Sequence, residues 1–275
     1  MRLPPLTPVV ATLAAMHCAV ALPAQWVNFV NETGSRMVAS AALGAADTQE
    51  KDYAWADLDQ DGDIDLVVVR KQPFTSPGRF PNVLFMNENG VLVDRSATLT
   101  GSTIPGSAGF LDDTNDRDVV IADVTGDGWL DVITCTTLTA GLPKYIRVPR
   151  VYVNQGIDTN GNWLGLLYDD ENRIDDTPWG NGEHRFCAVA AGDIDGDGDL
   201  DLYFGDYQQG GNRSVDVDDR LLINNGSGYF TDETSARMTP EMVESSFGMQ
   251  VDIVDMNLDG KLDILKNDAL NAPQG

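Results

Sequence analysis

Four short stretches of this sequence carry residues that could do chemistry, and all do it with oxygen. They are Asp57-Leu58-Asp59-Gln60-Asp61-Gly62-Asp63-Ile64-Asp65, Asp123-Val124-Thr125-Gly126-Asp127-Gly128-Trp129-Leu130-Asp131, Asp193-Ile194-Asp195-Gly196-Asp197-Gly198-Asp199-Leu200-Asp201 and Asp255-Met256-Asn257-Leu258-Asp259-Gly260-Lys261-Leu262-Asp263. Carboxylates this dense repel one another unless a cation sits among them. Ca²⁺ suits them, because it takes six to eight oxygen ligands in a flexible shell. Positions 1, 5 and 9 are Asp in every copy, and position 3 is Asp59, Thr125, Asp195 or Asn257, always an oxygen-bearing side chain. Position 6 is always Gly, which permits a sharp turn. Position 7 is Asp63, Trp129, Asp199 or Lys261; these share no side-chain chemistry, so the expected ligand there is the backbone carbonyl. Position 8 is always Ile or Leu and is expected to anchor the loop in a core. The expected cofactor is therefore Ca²⁺, up to four ions, held through positions 1, 3, 5, 7 and 9.

An EF-hand needs Glu at position 12 and flanking helices. Position 12 is instead Val68, Thr134, Phe204 or Lys266, and the flanks read as strands. Ahead of the loops lie Tyr53–Ala56, Val119–Ala122, Cys187–Ala190 and Met249–Val251; behind them lie Leu66–Val69, Val132–Thr134, Leu202–Phe204 and Ile264–Leu265. Each loop is thus expected to close a hairpin buried on both sides. A second landmark follows ~30 residues after each of the first three loops begins: Asn82–Gly90, Arg150–Gly156 and Arg220–Gly226, each with an Asn ahead of a glycine turn and a further strand beyond. Two hairpins per ~65-residue period make a four-stranded propeller blade, so the expected fold is an all-β propeller of four-stranded blades. Trp26–Gly34 reads as an outer hairpin without an inner one, and the fourth loop has no outer partner. The expectation is the first part of a seven- or eight-bladed ring, cut short at the C-terminus; a closed four-bladed ring is the other solution. Insertions at 100–117 and 169–183 are expected on one rim.

Formal charge is −25, with 43 acidic against 18 basic residues. That excludes a nucleic-acid-binding face and suits cations. Arg2 and the apolar run Pro8–Leu22 read as a secretion signal over 1–24, leaving 25–275 as a secreted, extracellular or cell-surface chain, or a periplasmic one, without a membrane span. Cys135 and Cys187 are expected as buried thiols or as a disulfide. His184 is expected in a loop rather than as a general base, and Asp112, Asp113, Asp116, Asp118, Asp216, Asp218 and Asp219 as solvated charge.

The Asp-x-Asp-x-Asp-Gly-x-x-Asp loops, the Leu-Tyr/Leu-x-Asn-x-Gly segments and Phe230-Thr231-Asp232-Glu233-Thr234 resemble the FG-GAP-like (VCBS) repeats of secreted and cell-surface proteins, related to the propeller of α-integrins. The resemblance covers nearly all of residues 25–275. It implies structural calcium between strands and a ligand-binding or adhesion role, with an unidentified protein or carbohydrate partner. The alternatives are a calcium-bearing propeller enzyme acting on polysaccharide, of lyase or dehydratase type, and a non-catalytic part of a larger secreted protein. No catalytic residue is assigned.

Overall fold

The computed structural model describes residues 29–40, 43, 47–72, 78–137, 141–179, 184–206, 218–243 and 248–268. Residues 33–275 form one compact unit. Residues 1–32 form another, described only from Phe29, and Phe29 to Glu32 are irregular. The expected secretion signal lies outside the described residues.

The fold is all-β, built of successive sheets that follow the repeat. Blade 1 contains β1 (Met37–Val38), β2 (Glu50–Ala56), β3 (Asp65–Lys71), β4 (Val83–Asn87) and β5 (Leu92–Asp94), in the order β1-β5-β4-β3-β2. Blade 2 contains β6 (Thr100–Ser102), β7 (Asp116–Ala122), β8 (Asp131–Thr136), β9 (Arg150–Asn154) and β10 (Leu166–Tyr168), in the order β6-β10-β9-β8-β7. Blade 3 contains β11 (Phe186–Gly192), β12 (Asp201–Asp206), β13 (Arg220–Asn224) and β14 (Phe230–Asp232) in chain order, and β15 (Gly248–Val254) pairs with β16 (Asp263–Asp268) as the inner hairpin of blade 4. The two inner strands of each blade flank one Asp-rich loop, as the sequence predicts.

Alternating faces bury the blades against each other. Val67, Val69, Leu84 and Met86 of blade 1 meet Val132, Tyr152, Leu166 and Tyr168 of blade 2. Ile133, Cys135, Val151 and Val153 of blade 2 meet Val189, Leu202, Phe204 and Leu222 of blade 3. Ala188, Ala190, Tyr203 and Leu221 then meet Val251, Ile253 and Ile264 of blade 4.

Five expectations need correction. Blades 1 and 2 are five-stranded, because the segment leading into each lays a short strand parallel to its outermost one: Met37 opposite Leu92, and Thr100 opposite Leu166. Trp26–Gly34 is not a hairpin where it is described; Thr33–Arg36 forms a helical turn instead. The insertions do not simply lie on a rim: Phe110 and Trp179 are buried in the blade joints. The first and fourth hairpins are not buried on both sides: Tyr53 and Trp55 of β2 are 48% and 60% exposed, and Val254 of β15 is 43% exposed. Finally, much of the supposed solvated charge is structural. Arg150, almost fully buried, donates from Nη1 to Gly109 O (3.0 Å), Asp112 Oδ2 (3.2 Å) and Tyr152 Oη (2.8 Å). Asp116 accepts from Asn82 Nδ2 (2.5 Å), and Asp219 from Tyr203 Oη (2.8 Å), Asp206 N (2.7 Å) and Lys266 Nζ (2.9 Å). Asp113 and Asp218 are exposed, and Asp216 lies outside the described residues.

Cys135 and Cys187 are buried free thiols, the first of the two arrangements expected. His184 lies outside the strands, as expected, and is buried, stacked on Phe186 and edge-on to Trp179, with Nε2 against Arg147 O. Burial pushes its pKa down to about 4.

Candidate metal centre

Each Asp-rich loop is a tight turn closed by its own carboxylates. The position-1 Asp accepts the N–H of the position-6 glycine: Gly62 to Asp57 (3.0 Å), Gly128 to Asp123 (2.8 Å), Gly198 to Asp193 (3.1 Å) and Gly260 to Asp255 (2.8 Å). The position-5 Asp accepts the N–H of position 7: Asp63 to Asp61 (2.8 Å), Trp129 to Asp127 (2.9 Å), Asp199 to Asp197 (3.0 Å) and Lys261 to Asp259 (2.9 Å). The position-6 glycines have φ of +97°, +89°, +99° and +87°. Position 4 is also left-handed, with Gln60 at +58°, Gly126 at +72°, Gly196 at +79° and Leu258 at +60°. Sequence comparison missed this, because only two of the four copies place Gly there.

Position 9 does a different job from positions 1, 3 and 5. Asp65, Asp131 and Asp201 are buried at the base of the hairpin. One oxygen accepts the N–H of position 2, as from Leu58 (3.0 Å), Val124 (3.1 Å) and Ile194 (2.9 Å). The other accepts the N–H of the outer-strand Asn: Asn87 (2.8 Å), Asn154 (2.9 Å) and Asn224 (2.9 Å). Asp263 accepts from Met256 N (3.1 Å) in the same way. Burial pushes the carboxyls of Asp65 and Asp131 up to about 6 and that of Asp201 upward, against the pull of these N–H donors.

The carboxylates that come together are Asp57, Asp59 and Asp61, and again Asp193, Asp195 and Asp197; in each trio one oxygen per residue lies within 4.8 Å of the others. Asp65 and Asp201 are not part of these groups. The second and fourth loops have no such trio, because their third positions are Thr125 and Asn257. Thr125 turns its hydroxyl to Asp131 Oδ2 (3.1 Å), whereas Asn257 accepts from Asp259 N (2.8 Å). Within the first trio, Asp57 Oδ1 is buried and has no hydrogen-bond donor. A buried carboxylate oxygen without a donor is costly. A cation held by Asp57, Asp59 and Asp61 would satisfy it, and the all-oxygen donor set fits a hard ion. In the third loop Arg237 Nη2 contacts Asp195 Oδ2 at 3.1 Å, a cationic group already drawn to a carboxylate of that trio.

Position 8 anchors two of the four loops as expected: Leu130 and Leu200 pack on the blade-joint cores, whereas Ile64 and Leu262 do not. Ile64 is 51% exposed and Leu262 36%, while Leu130 and Leu200 are half-buried. Position 2 anchors the first two loops more deeply: Leu58 and Val124 are almost fully buried, Ile194 is half-buried and Met256 is 62% exposed. The outer-strand Asn makes a link that sequence reasoning did not foresee. Asn154 Nδ2 donates to Leu130 O in its own blade (3.0 Å) and to Leu58 O in the blade before it (2.8 Å). Asn224 Nδ2 likewise bonds Leu200 O (3.0 Å) and Val124 O (2.8 Å). Each such amide ties one candidate ion loop to the next.

A sequence profile described as an FG-GAP-like repeat matches residues 57–134 and 193–265, covering the first, second, third and fourth loops. No curated protein matches the chain.

Proposed function

As this chain belongs to the FG-GAP-like repeat family, we propose that it is a secreted β-propeller module that holds Ca²⁺ in its Asp-rich loops and presents its surface to a protein or carbohydrate ligand in adhesion or recognition. The observation that carries the calcium assignment is the donorless, buried Oδ1 of Asp57 inside the trio with Asp59 and Asp61. Bound calcium would neutralise the clustered carboxylates; it has no catalytic part in this reading. The first and third loops are the stronger sites, because they offer three carboxylates each. The export reading rests on the apolar N-terminal run and on the calcium concentration outside cells. Among the described residues no helix is long and apolar enough to cross a membrane. Extracellular modules bind calcium with Kd of about 10⁻⁴ to 10⁻³ M. At free calcium ten times Kd, each filled site adds about 1.4 kcal/mol to stability.

Titration calorimetry on chelator-stripped protein, with thermal melting in parallel, tests this. Calcium should bind and raise the melting temperature, and Asp193→Ala with Asp197→Ala should remove one ion while leaving the rest. Absence of binding heat, together with identical melting in chelator and in millimolar calcium, would refute the assignment.

A second reading, an enzyme acting on polysaccharide, draws on one feature. Asp52, Asp118, Asp252 and Gln250 line a cavity of about 440 Å³ touched by the first inner strand of each blade, Val189 standing for blade 3. Burial and the neighbouring Asp52 push the Asp118 carboxyl up to about 8. A carboxyl that keeps its proton at neutral pH can serve as a general acid. Turnover of a polysaccharide panel that disappears in Asp118→Asn would favour this reading; no turnover would leave the binding module.

A further inference from the structure

The first and third loops carry the same trio of carboxylates, and one residue outside the loops tells them apart. Blades 1 and 3 match closely here. In blade 1 Asn87 pairs with Leu92 and Phe85 with Asp94; in blade 3 Asn224 pairs with Phe230 and Leu222 with Asp232. A helical turn follows each outer strand, Ser96–Leu99 in blade 1 and Thr234–Arg237 in blade 3. The hydroxyl that opens each turn accepts an N–H from the neighbouring strand, Leu84 to Ser96 and Leu221 to Thr234, both at 2.9 Å. This register puts Leu99 and Arg237 at one place in the blade.

That place lies beside the blade's own ion loop. Leu99 lines a cavity of about 410 Å³ together with Asp59 and Asp61. Arg237 Nη2 reaches Asp195 Oδ2 at 3.1 Å, and its Nε bonds Glu233 Oε2 at 2.5 Å, just ahead of the turn. The first trio therefore meets an apolar side chain where the third meets a guanidinium. A guanidinium and Ca²⁺ both seek carboxylate oxygen. Asp195 cannot serve both without cost, because the bond to Arg237 occupies one of its oxygens and two cations on one carboxylate repel.

We propose, on the calcium reading above, that Arg237 sets the calcium affinity of the third loop as a built-in competitor. Without calcium it neutralises Asp195; calcium binding displaces it, and Glu233 keeps the freed guanidinium. The first loop has Leu99 in that place, lacks the competitor and fills at lower calcium. The two loops thus answer to different calcium levels although their carboxylates are the same.

Titration calorimetry on the chelator-stripped chain, with calcium alone as the probe, tests this. Arg237→Leu, which copies blade 1, should tighten one site about two- to fivefold, the span of a screened ion pair. Its melting temperature in chelator should fall, and the rise on adding calcium should grow. Arg237→Gln removes the charge at similar reach and serves if leucine disturbs the turn; Arg237→Lys keeps the charge and should stay nearest to wild type. In a chain that also carries Asp193→Ala and Asp197→Ala, Arg237→Leu should leave the remaining sites unchanged. Arg79→Leu removes an equal charge beside Lys71, at the end of β3 away from its loop, and should tighten no site. Equal calcium binding in wild type, Arg237→Leu and Arg237→Gln would overturn the competitor and leave the calcium reading intact. Tightening that survives Asp193→Ala with Asp197→Ala, or that Arg79→Leu reproduces, would overturn it as well. No binding heat in any variant would refute the calcium reading and the competitor with it.

Discussion

Asn154 shows how much rests on one side chain in this molecule. It is buried, donates to two carbonyls in two blades, and accepts from Gly156 N (3.0 Å) and Trp163 Nε1 (2.7 Å). Asn154→Ala should lower stability by about 2–4 kcal/mol in urea unfolding, because it strands buried backbone carbonyls. A loss below about 0.5 kcal/mol would mean that the link between blades carries little energy. Asp118 makes a different demand. Its Oδ2 accepts Val189 N of blade 3 (2.7 Å), and its carboxyl bonds Asp52 of blade 1, with Gln250 and Asp252 of blade 4 facing the same cavity. The folded state holds a proton here up to about pH 8, while the unfolded chain releases it near the ordinary value of 3.8. The contribution of the Asp118 carboxyl is therefore full below about pH 4 and is lost as pH rises toward 8. Asp52→Asn supplies the donor without a proton, so melting temperature should fall less steeply across that window. Equal slopes in wild type and variant would dismiss the shared proton. Neither Asn154 nor Asp118 was legible from residue type: a strand Asn and a strand Asp look alike whether solvated or buried, and only the neighbouring blade decides.

The loop-closed hairpin is the unit at the next scale. Its backbone is left-handed at positions 4 and 6, and the two are filled differently. At position 6 glycine meets no steric obstacle, since a Cβ at Gly198 would have nothing within 4 Å, so the requirement is conformational alone. Gly198→Ala should cost about 1 kcal/mol and weaken ion binding at the third loop. Leu258, at position 4 of the fourth loop with φ of +60° and 86% exposed, runs the other way. Leu258→Gly should relieve about 1 kcal/mol of strain, offset in part by the greater freedom of glycine when unfolded. Thermal melts of the two variants should shift in opposite directions; a shared direction would show that loop conformation is not what limits them. The invariant glycine was readable by comparing copies, whereas the left-handed position 4 was hidden by Gln60 and Leu258.

For the whole molecule, charge is the dominant constraint. A formal charge of −25 on 275 residues opposes compaction, most strongly where the loops gather carboxylates. Chelator-stripped protein should therefore gain melting temperature as sodium chloride rises, and calcium-loaded protein should gain less, because its loop charge is already neutralised. An equal response in both states would argue that the loops contribute little to the repulsion. By itself the sequence determined the repeat, the all-β blades and the loop positions. Local rules govern those features: alternation sets strands, a recurring Asp-Gly pattern sets the turns, and the period sets the blade. Only the tertiary structure decided which carboxylates meet and which brace the hairpin, why Asp112, Asp116 and Asp219 are buried, and that short lead-in strands extend two of the sheets. Those outcomes depend on what one blade places against the next, and contacts between segments far apart in the chain leave no trace in local spacing.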